Sequence, residues 1–313
     1  MADEAMDKRA ISVAVTGATG LIGKRLCAML AGAGHTVFAV RRAAAGGGKA
    51  RDAQWDVQTG RIEFPGPVDV LVHLAGRSIS SRWSAKVKKE VFESRGPATQ
   101  RLCEFLAQAP ADTRPRALIC ASAIGIYGDR GDEVLTENSA PAAEGASFMS
   151  DVCRAWEAAT RPAEEAGIQV VHVRVGVVLA RDGGALAKML LPTKLGLAGP
   201  VGRGTQYMPW ISLTDISRLL MRLATAREPL VGVINGVGPA PVRQHEFIRT
   251  LGKVVHRPTV FPMPGFVVKL LFGQMGAELL LGSLRVMSTR LPAGFTFEHE
   301  TLEAAIRGEL GLR

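Results

Sequence analysis

Three glycines spaced three apart, in Thr16-Gly17-Ala18-Thr19-Gly20-Leu21-Ile22-Gly23, stand between an apolar β-type run, Ile11–Gly17, and a helix-patterned run, Leu21–Ala31. Few folds use such a turn. Gly17 permits a tight reversal. Gly20 lets the backbone approach a pyrophosphate with no Cβ in the way. Gly23 lets the helix lie close on the strand, and the free N–H groups of the helix start face the anion. A plain strand-to-helix turn is the alternative. The preceding strand, the amphipathic helix with Ile22, Leu26, Met29 and Leu30 in register, and a following strand favour dinucleotide binding. The expected contacts are Gly17, Thr19, Gly20, Leu21, Ile22 and Gly23.

The end of the second strand selects the dinucleotide. NAD sites carry an acid there to hold the ribose hydroxyls. His35–Arg42 contains no acid and ends in Arg41-Arg42. Two guanidiniums suit a 2′-phosphate, which points to NADP(H). Lys24 and Arg25 add positive charge beside the turn. Solvation of both arginines at a strand end is the alternative.

Further apolar runs follow at Val68–Gly76, Arg116–Ala123, Ile168–Leu179 and Val231–Gly238, with helical patterns between them. Near-continuous apolar strands alternating with helices mean a parallel sheet covered on both faces. The expected class is α/β: a Rossmann-type doubly wound parallel sheet with a smaller, mostly helical C-terminal lobe. Residues 10–180 form the dinucleotide domain, and about 208–238 complete its sheet. Residues 181–207 and 239–313 form a substrate or partner lobe. The glycine-rich stretch after Leu179 reads as a long loop with one short helix, and Ala43–Ala50 as a flexible surface loop.

Composition narrows the function. The chain has 313 residues, 47% hydrophobic, with a formal net charge of +9. Its basic residues are scattered and aromatics make up only 5%, so no basic run interleaved with stacking residues marks a nucleic-acid surface. A phosphate-bearing ligand accounts for the charge better. Cys27, Cys103, Cys120 and Cys153 form no C-x-x-C pair, which fits a reducing compartment and no metal site. The N-terminus lacks a secretory apolar core, so a soluble, cytoplasmic protein is expected; an organelle interior reached with a separate targeting peptide stays open. Phe266–Leu281 is apolar but interrupted by Lys269, Gln274 and Glu278. It reads as an amphipathic core helix, with a partner-docking or membrane-surface face as the alternative.

With these landmarks in order, the sequence resembles the extended branch of the short-chain dehydrogenase/reductase superfamily: the glycine turn, "HLAG" (His73–Gly76) and "ASAIGIYG" (Ala121–Gly128). More narrowly, it is similar to the atypical group labelled "epimerase family protein", through Trp156–Ala159, Arg174–Asp215 and Gly232–Pro258. The resemblance implies that Leu74, Ala75 and Gly76 line the path from adenosine to nicotinamide, that Glu90 and Arg95 lie near the cofactor, and that Val178 sits by the nicotinamide. A surface ion pair is the other reading of Glu90 and Arg95. The group usually has histidine at the position of Ser212. Relatives pair through two helices, here Ser94–Gln108 and Phe148–Ala166, which implies a possible homodimer.

The superfamily's hydride chemistry uses a Ser or Thr, a Tyr, and a Lys four residues after the Tyr. Only Tyr127 and Tyr207 exist, followed four residues on by Gly131 and Ile211, so no Y-x-x-x-K occurs. By spacing, the three catalytic positions fall on Ala123, Phe148 and Val152, all apolar. Tyr127 and Ser122 are the candidate replacements, each with a packing role as alternative. Asp151 and Cys153 are also near, read first as a solvated acid and a core thiol. The sequence therefore supports two functions. One is an NADP(H)-dependent oxidoreductase or epimerase-like enzyme on a small carbonyl or sugar-type substrate, with non-standard acid–base groups. The other is a catalytically silent NADP(H)-binding sensor or assembly protein that acts through a partner.

Overall fold

The computed structural model describes residues 9–43 and 52–312; the Ala43–Ala50 loop lies, beyond its first residue, outside them. Along the chain, β1 (Ser12–Thr16) enters α1 (Leu21–Gly32). Four strands follow: β2 (Thr36–Arg42), β3 (Ala53–Trp55), β4 (Ile62–Glu63) and β5 (Val70–His73). Helices α2 (Ala85–Glu93) and α3 (Gly96–Gln108) lead to β6 (Ala117–Ala123), β7 (Val134–Leu135), α4 (Phe148–Ala158) and α5 (Arg161–Glu165). Then come β8 (Gln169–Val175), β9 (Val177–Ala180), α6 (Gly184–Lys194), β10 (Tyr207–Met208), β11 (Trp210–Ser212), α7 (Leu213–Ala224) and β12 (Gly232–Gly236). The C-terminal part holds β13 (Val242–Arg243), α8 (Gln244–Val254), α9 (Gly265–Leu279), β14 (Arg285–Val286) and α10 (Leu302–Leu310).

Eight strands form one sheet in the order β12-β8-β6-β5-β1-β2-β3-β4. Every neighbouring pair is parallel except β3 with β4. Helices cover both faces, so central strands are buried on both sides: β5 is fully buried, and so is β6 apart from Ala123. One core joins β1, β5 and β8 to α1 and α7; the other packs Leu71, Leu118 and Val170 against α3 and Trp156 of α4. Each such leucine contributes about 1.5–3 kcal/mol relative to an exposed one. The chain runs from β1 outward to β2, then crosses to β5 on the other side. The order reverses between β1 and β5, and that switch point opens a crevice outside the strands' carboxyl ends.

The C-terminal lobe has its own core, with Leu186, Phe247, Leu251, Leu302 and Ile306 packing α6, α8 and α10 together. A clasp ties it to the sheet. The buried Asp215 carboxylate accepts from Ser212 Oγ (2.7 Å), Glu298 N (2.7 Å) and His299 N (3.2 Å). His299 Nδ1, from the C-terminal segment, lies 3.1 Å from Ser212 Oγ. Gly308 makes room for it: a Cβ there would lie 2.2 Å from His299 Nε2. Ser212 donates to the acid rather than to the histidine, so this is an N-cap and a tie, not a nucleophile arrangement.

Four elements differ from the sequence expectation. The run Ile168–Leu179 is two strands, because the chain turns at Gly176, where a Cβ would meet Pro209 O at 2.8 Å. β9 thereby leaves the main sheet and pairs with β11. The Phe148–Ala166 helix is broken into α4 and α5, since Pro162 opens a new helix and offers no N–H to continue the old one. The glycine-rich stretch contains an eleven-residue helix, α6, held by burial of Leu186 and Thr193. Finally, the first half of α9 is not core: Phe266 and Leu270 are 73% and 71% exposed. Only Val268 in that half is fully inward, so the apolar pattern there is two-sided.

Candidate dinucleotide site at the β1–β5 switch point

The glycine turn sits at the switch point, and one hydroxyl organises it. Thr16, the last residue of β1, accepts at Oγ1 from Leu74 N (3.1 Å) and Ala75 N (3.2 Å). Both hydroxyl lone pairs are then used, so its proton goes to His73 Nδ1 at 2.8 Å. The opposite ring nitrogen, Nε2–H, donates to Thr99 Oγ1 at 3.0 Å. This chain fixes the tautomer and brings the loops after β1 and β5 into contact. Gly17 has φ +68°, and a Cβ on it would lie 2.9 Å from the Leu74 carbonyl. Gly23 is tighter still, with a Cβ 2.3 Å from Gly17 O. Gly20 is the N-cap of α1, extended at φ −74°, and its hypothetical Cβ meets only Gly17 O at 3.1 Å. The requirements at Gly17 and Gly23 are therefore steric within the protein. Gly20 stays open outward, beside the unbonded N–H groups that begin a helix.

Burial drives the His73 pKa down to about 4 from 6.5. An imidazolium would also set Nδ1–H against the Thr16 hydroxyl proton. The folded state binds this proton more weakly than the unfolded state. The associated stability is thus complete above pH 6.5 and is lost as pH falls from 6.5 towards 4, a total of about 3 kcal/mol. The urea midpoint is expected to drop between pH 7.5 and pH 5, and His73→Gln to remove that part of the drop. A midpoint slope identical in the variant would count against the buried neutral ring.

The remaining expected residues fall around this crevice. Arg41 and Arg42 are exposed at the end of β2; Arg41 Nε pairs with Asp52 Oδ2 at 2.5 Å, while Arg42 has no ion pair among the described residues. Gly76 lies against Arg95, whose guanidinium would be 3.1 Å from a Cβ there. Arg95 also donates to Arg77 O (2.9 Å) and sits over the Trp156 ring; burial lowers its pKa. Glu90 bonds Arg77 Nε at 3.0 Å, so Glu90 and Arg95 are not an ion pair with each other. Val178 is partly buried in β9 and its carbonyl contacts Gly184; Gly183 and Gly184 pack on Leu21. The β9–α6 loop thus roofs the start of α1, a relation that the glycine-rich text did not disclose.

Ser122 and Tyr127 lie in one buried network. Ser122 Oγ donates to Glu157 Oε1 at 2.7 Å. Arg174 holds the same carboxylate by two bonds of 2.8 Å and donates to Tyr127 OH at 2.9 Å. The phenol donates towards Asn235 Oδ1 (2.8 Å) and Thr136 O (3.0 Å), and Arg174 stacks on its ring. Burial raises the Tyr127 pKa, and the side chain is fully covered. Glu137 extends the network, accepting from Asn235 N, Ser288 Oγ and Thr289. Glu137, Glu157, Arg174 and Asn235 carry no sequence signal of a site: they are far apart in the chain and each is ordinary alone.

The positions matched to the superfamily's catalytic hydroxyl, tyrosine and lysine are equally clear. Ala123 ends β6, Phe148 begins α4, and Val152 is buried one turn later. Phe148 packs edge-on against Trp83, with Lys88 Nζ 5.3 Å from its ring centroid. Cys153, next to Val152, is buried with its thiol pushed up to about 12. Asp151 accepts from Gly145 N at 2.9 Å. Above this end, Lys188 of α6 donates to Ser80 O (2.9 Å), Lys88 bonds Gln274 of α9, and Glu278 accepts from Phe148 N and Met149 N.

A doubly wound sheet with a glycine turn at its switch point defines a Rossmann-type nucleotide-binding protein. Residues 13–235 match the model of the NAD dependent epimerase/dehydratase family, and residues 263–308 match a domain of unknown function. The chain belongs to that epimerase/dehydratase family. An epimerase family protein of Mycobacterium bovis is 40% identical over 299 residues, covering 94% of this chain and 96% of the relative. The chloroplastic SDR39U1 homolog of Arabidopsis thaliana is 36% identical over 95% of this chain and 86% of its own length. The human epimerase family protein SDR39U1, solved with NADPH, superposes with a TM-score of 0.85 at 33% identity, over 96% of this chain and 99% of that one.

Proposed function

We propose that the chain binds NADP(H) at the β1–β5 switch point, with the turn from Gly17 to Gly23 against the pyrophosphate and Arg41 and Arg42 towards the 2′-phosphate. The observation that carries this reading is the pairing of an outward-open Gly20 helix start with two exposed guanidiniums at the end of β2. The human relative's structure with NADPH supports it. Leu74, Ala75, Gly76 and Val178 are the contacts along the path, with Arg95 beneath Gly76. In calorimetric titration of cofactor-stripped protein, NADPH is expected to bind more tightly than NADH. Replacing both arginines by alanine is expected to weaken NADPH by roughly tenfold or more while leaving NADH unchanged. Equal affinity for the two cofactors overturns the assignment.

On chemistry, the reading is a cofactor-binding protein without the Ser-Tyr-Lys mechanism. A bound nicotinamide supplies hydride; the apolar Ala123, Phe148 and Val152 supply no proton. The hydroxyls of Ser122 and Tyr127 are committed to Glu157, Asn235 and Thr136, so neither is proposed as a donor. Such a protein reports NADP(H) to a partner. A second reading is favoured by the roof of α6 and α9 over the Phe148 end: an oxidoreductase or epimerase-like enzyme on a small carbonyl or sugar-type compound, protonated by solvent or by the substrate itself. Offering carbonyl compounds to the NADPH-loaded protein, and sugar nucleotides to the protein loaded with NADP+, separates them. Turnover establishes the second reading, and inertness across the panel with intact cofactor binding keeps the first.

A further inference from the structure

In NAD sites an acid at the end of the second strand holds the adenosine ribose by its hydroxyls. The end of β2 contains no acid, but the sheet brings one beside it. Asp52, the residue before β3, has Oδ2 2.5 Å from Arg41 Nε. Strand pairing fixes where this carboxylate stands. β2 and β3 run parallel, with Ala53 beside Val40 and Gln54 beside Arg41. Asp52 is therefore level with Ala39, set back from the carboxyl end of β2. β3 flanks β2 on one side, while β1 and its glycine turn flank it on the other. The crevice opens outside the carboxyl ends, so Asp52 stands behind Arg41 as seen from it.

Burial ties the pair together. The Asp52 side chain is 16% exposed and that of Arg41 54%. Oδ2 is shielded from solvent with no hydrogen-bond donor aligned on it, so the Arg41 cation is what balances its charge. A covered carboxylate stripped of its cation is costly, and that cost keeps the guanidinium in place. Arg41 presents its Nε to the acid. Nη1 and Nη2 make no hydrogen bond to the described residues. The Nη1–Nη2 edge is thus left for a phosphate, which an arginine fork meets by two parallel bonds.

We propose that Asp52 is a positioning residue for cofactor choice: it holds Arg41 with that free edge towards the 2′-phosphate of NADP(H). The inference rests on the NADP(H) reading above. A loose arginine must give up rotamer freedom when it meets its ligand, and one already held gives up less. The gain falls only on the phosphorylated cofactor, since NADH has nothing for Arg41 to grip. Repulsion between the carboxylate and the phosphate works the other way. It is weakened because the acid is set back and the guanidinium lies between them, so the two anions do not compete for one edge.

The test is calorimetric titration of the cofactor-stripped full chain with NADPH and with NADH. Asp52→Ala is expected to weaken NADPH about fivefold more than NADH. Asp52→Asn keeps the size and an oxygen beside Arg41, and is expected to fall between wild type and the alanine variant. In an Arg41→Ala background, Asp52→Ala is expected to change NADPH affinity by less than about twofold, because its effect runs through that guanidinium. Thermal melting of the cofactor-free proteins checks folding; where the alanine variant melts early, the asparagine variant decides by the same ratio. A wild-type preference that survives the change, tighter NADPH binding, a loss confined to NADH, equal losses of both cofactors, or an undiminished loss without Arg41 would each overturn the inference alone. Equal wild-type affinities for NADPH and NADH would overturn the NADP(H) reading, and the inference with it.

Discussion

Gly20→Val is expected to eject NADPH while leaving the protein folded. The N-cap conformation, φ −74° and ψ 173°, is open to a β-branched residue, and the new Cβ meets only Gly17 O at 3.1 Å. A few tenths of an ångström of adjustment accommodates it, so the melting temperature should change little. The branched side chain instead fills the space that a pyrophosphate needs above the α1 N–H groups. Losing one or two charge-assisted bonds costs about 3 kcal/mol, on the order of 100-fold in Kd. Gly23→Ala is the contrast. Its Cβ would lie 2.3 Å from Gly17 O, so the turn itself must move and stability should fall along with binding. Calorimetric titration and thermal melting of both variants separate the two roles. Wild-type NADPH affinity in Gly20→Val would remove the turn from the binding site.

The second large effect lies in the buried network. Arg174→Met is expected to destabilise the protein by about 3–5 kcal/mol, because it leaves the Glu157 carboxylate without its bidentate partner in a covered site. Burial works against the Arg174 charge, and Glu157 beside it more than compensates, so the guanidinium is held firmly protonated. For a chain of this size that loss corresponds to a fall of roughly 5–8 °C in melting temperature. Tyr127→Phe should cost less, about 1–3 kcal/mol, by removing the hydroxyl that links Arg174 to Asn235 and Thr136. Cofactor affinity should survive Tyr127→Phe. A loss of NADPH binding or of turnover without loss of stability would return Tyr127 to the reacting centre.

The consequence for function is a separation of two ends. The phosphate side of the proposed site holds the turn, the Thr16–His73–Thr99 relay that sets it, and the guanidiniums of β2. At the other end, where the proposed site would set the nicotinamide, Phe148 offers a ring without a hydroxyl, packed against Trp83 under α9. Glu278, which caps α4 there, ties the C-terminal lobe to the very turn of helix that bears Phe148.

Periodicity and glycine spacing determined the class, the alternation of the main strands with helices, the glycine turn and the absence of a Y-x-x-x-K, because each is a local property: side-chain direction alternates within a strand, and a helix start needs only its own neighbours. The partners of Ser122 and Tyr127 were beyond such reasoning. Glu157, Arg174 and Asn235 converge on them from α4, β8 and β12, and only the sheet order brings those elements together. The break at Gly176 was decided the same way, by the approach of Pro209 rather than by any local signal. So was the outward face of α9, whose apolar pattern cannot say which side finds a core. Distances along the chain fix conformation over a few residues; burial and charge pairing are settled by what the fold sets alongside.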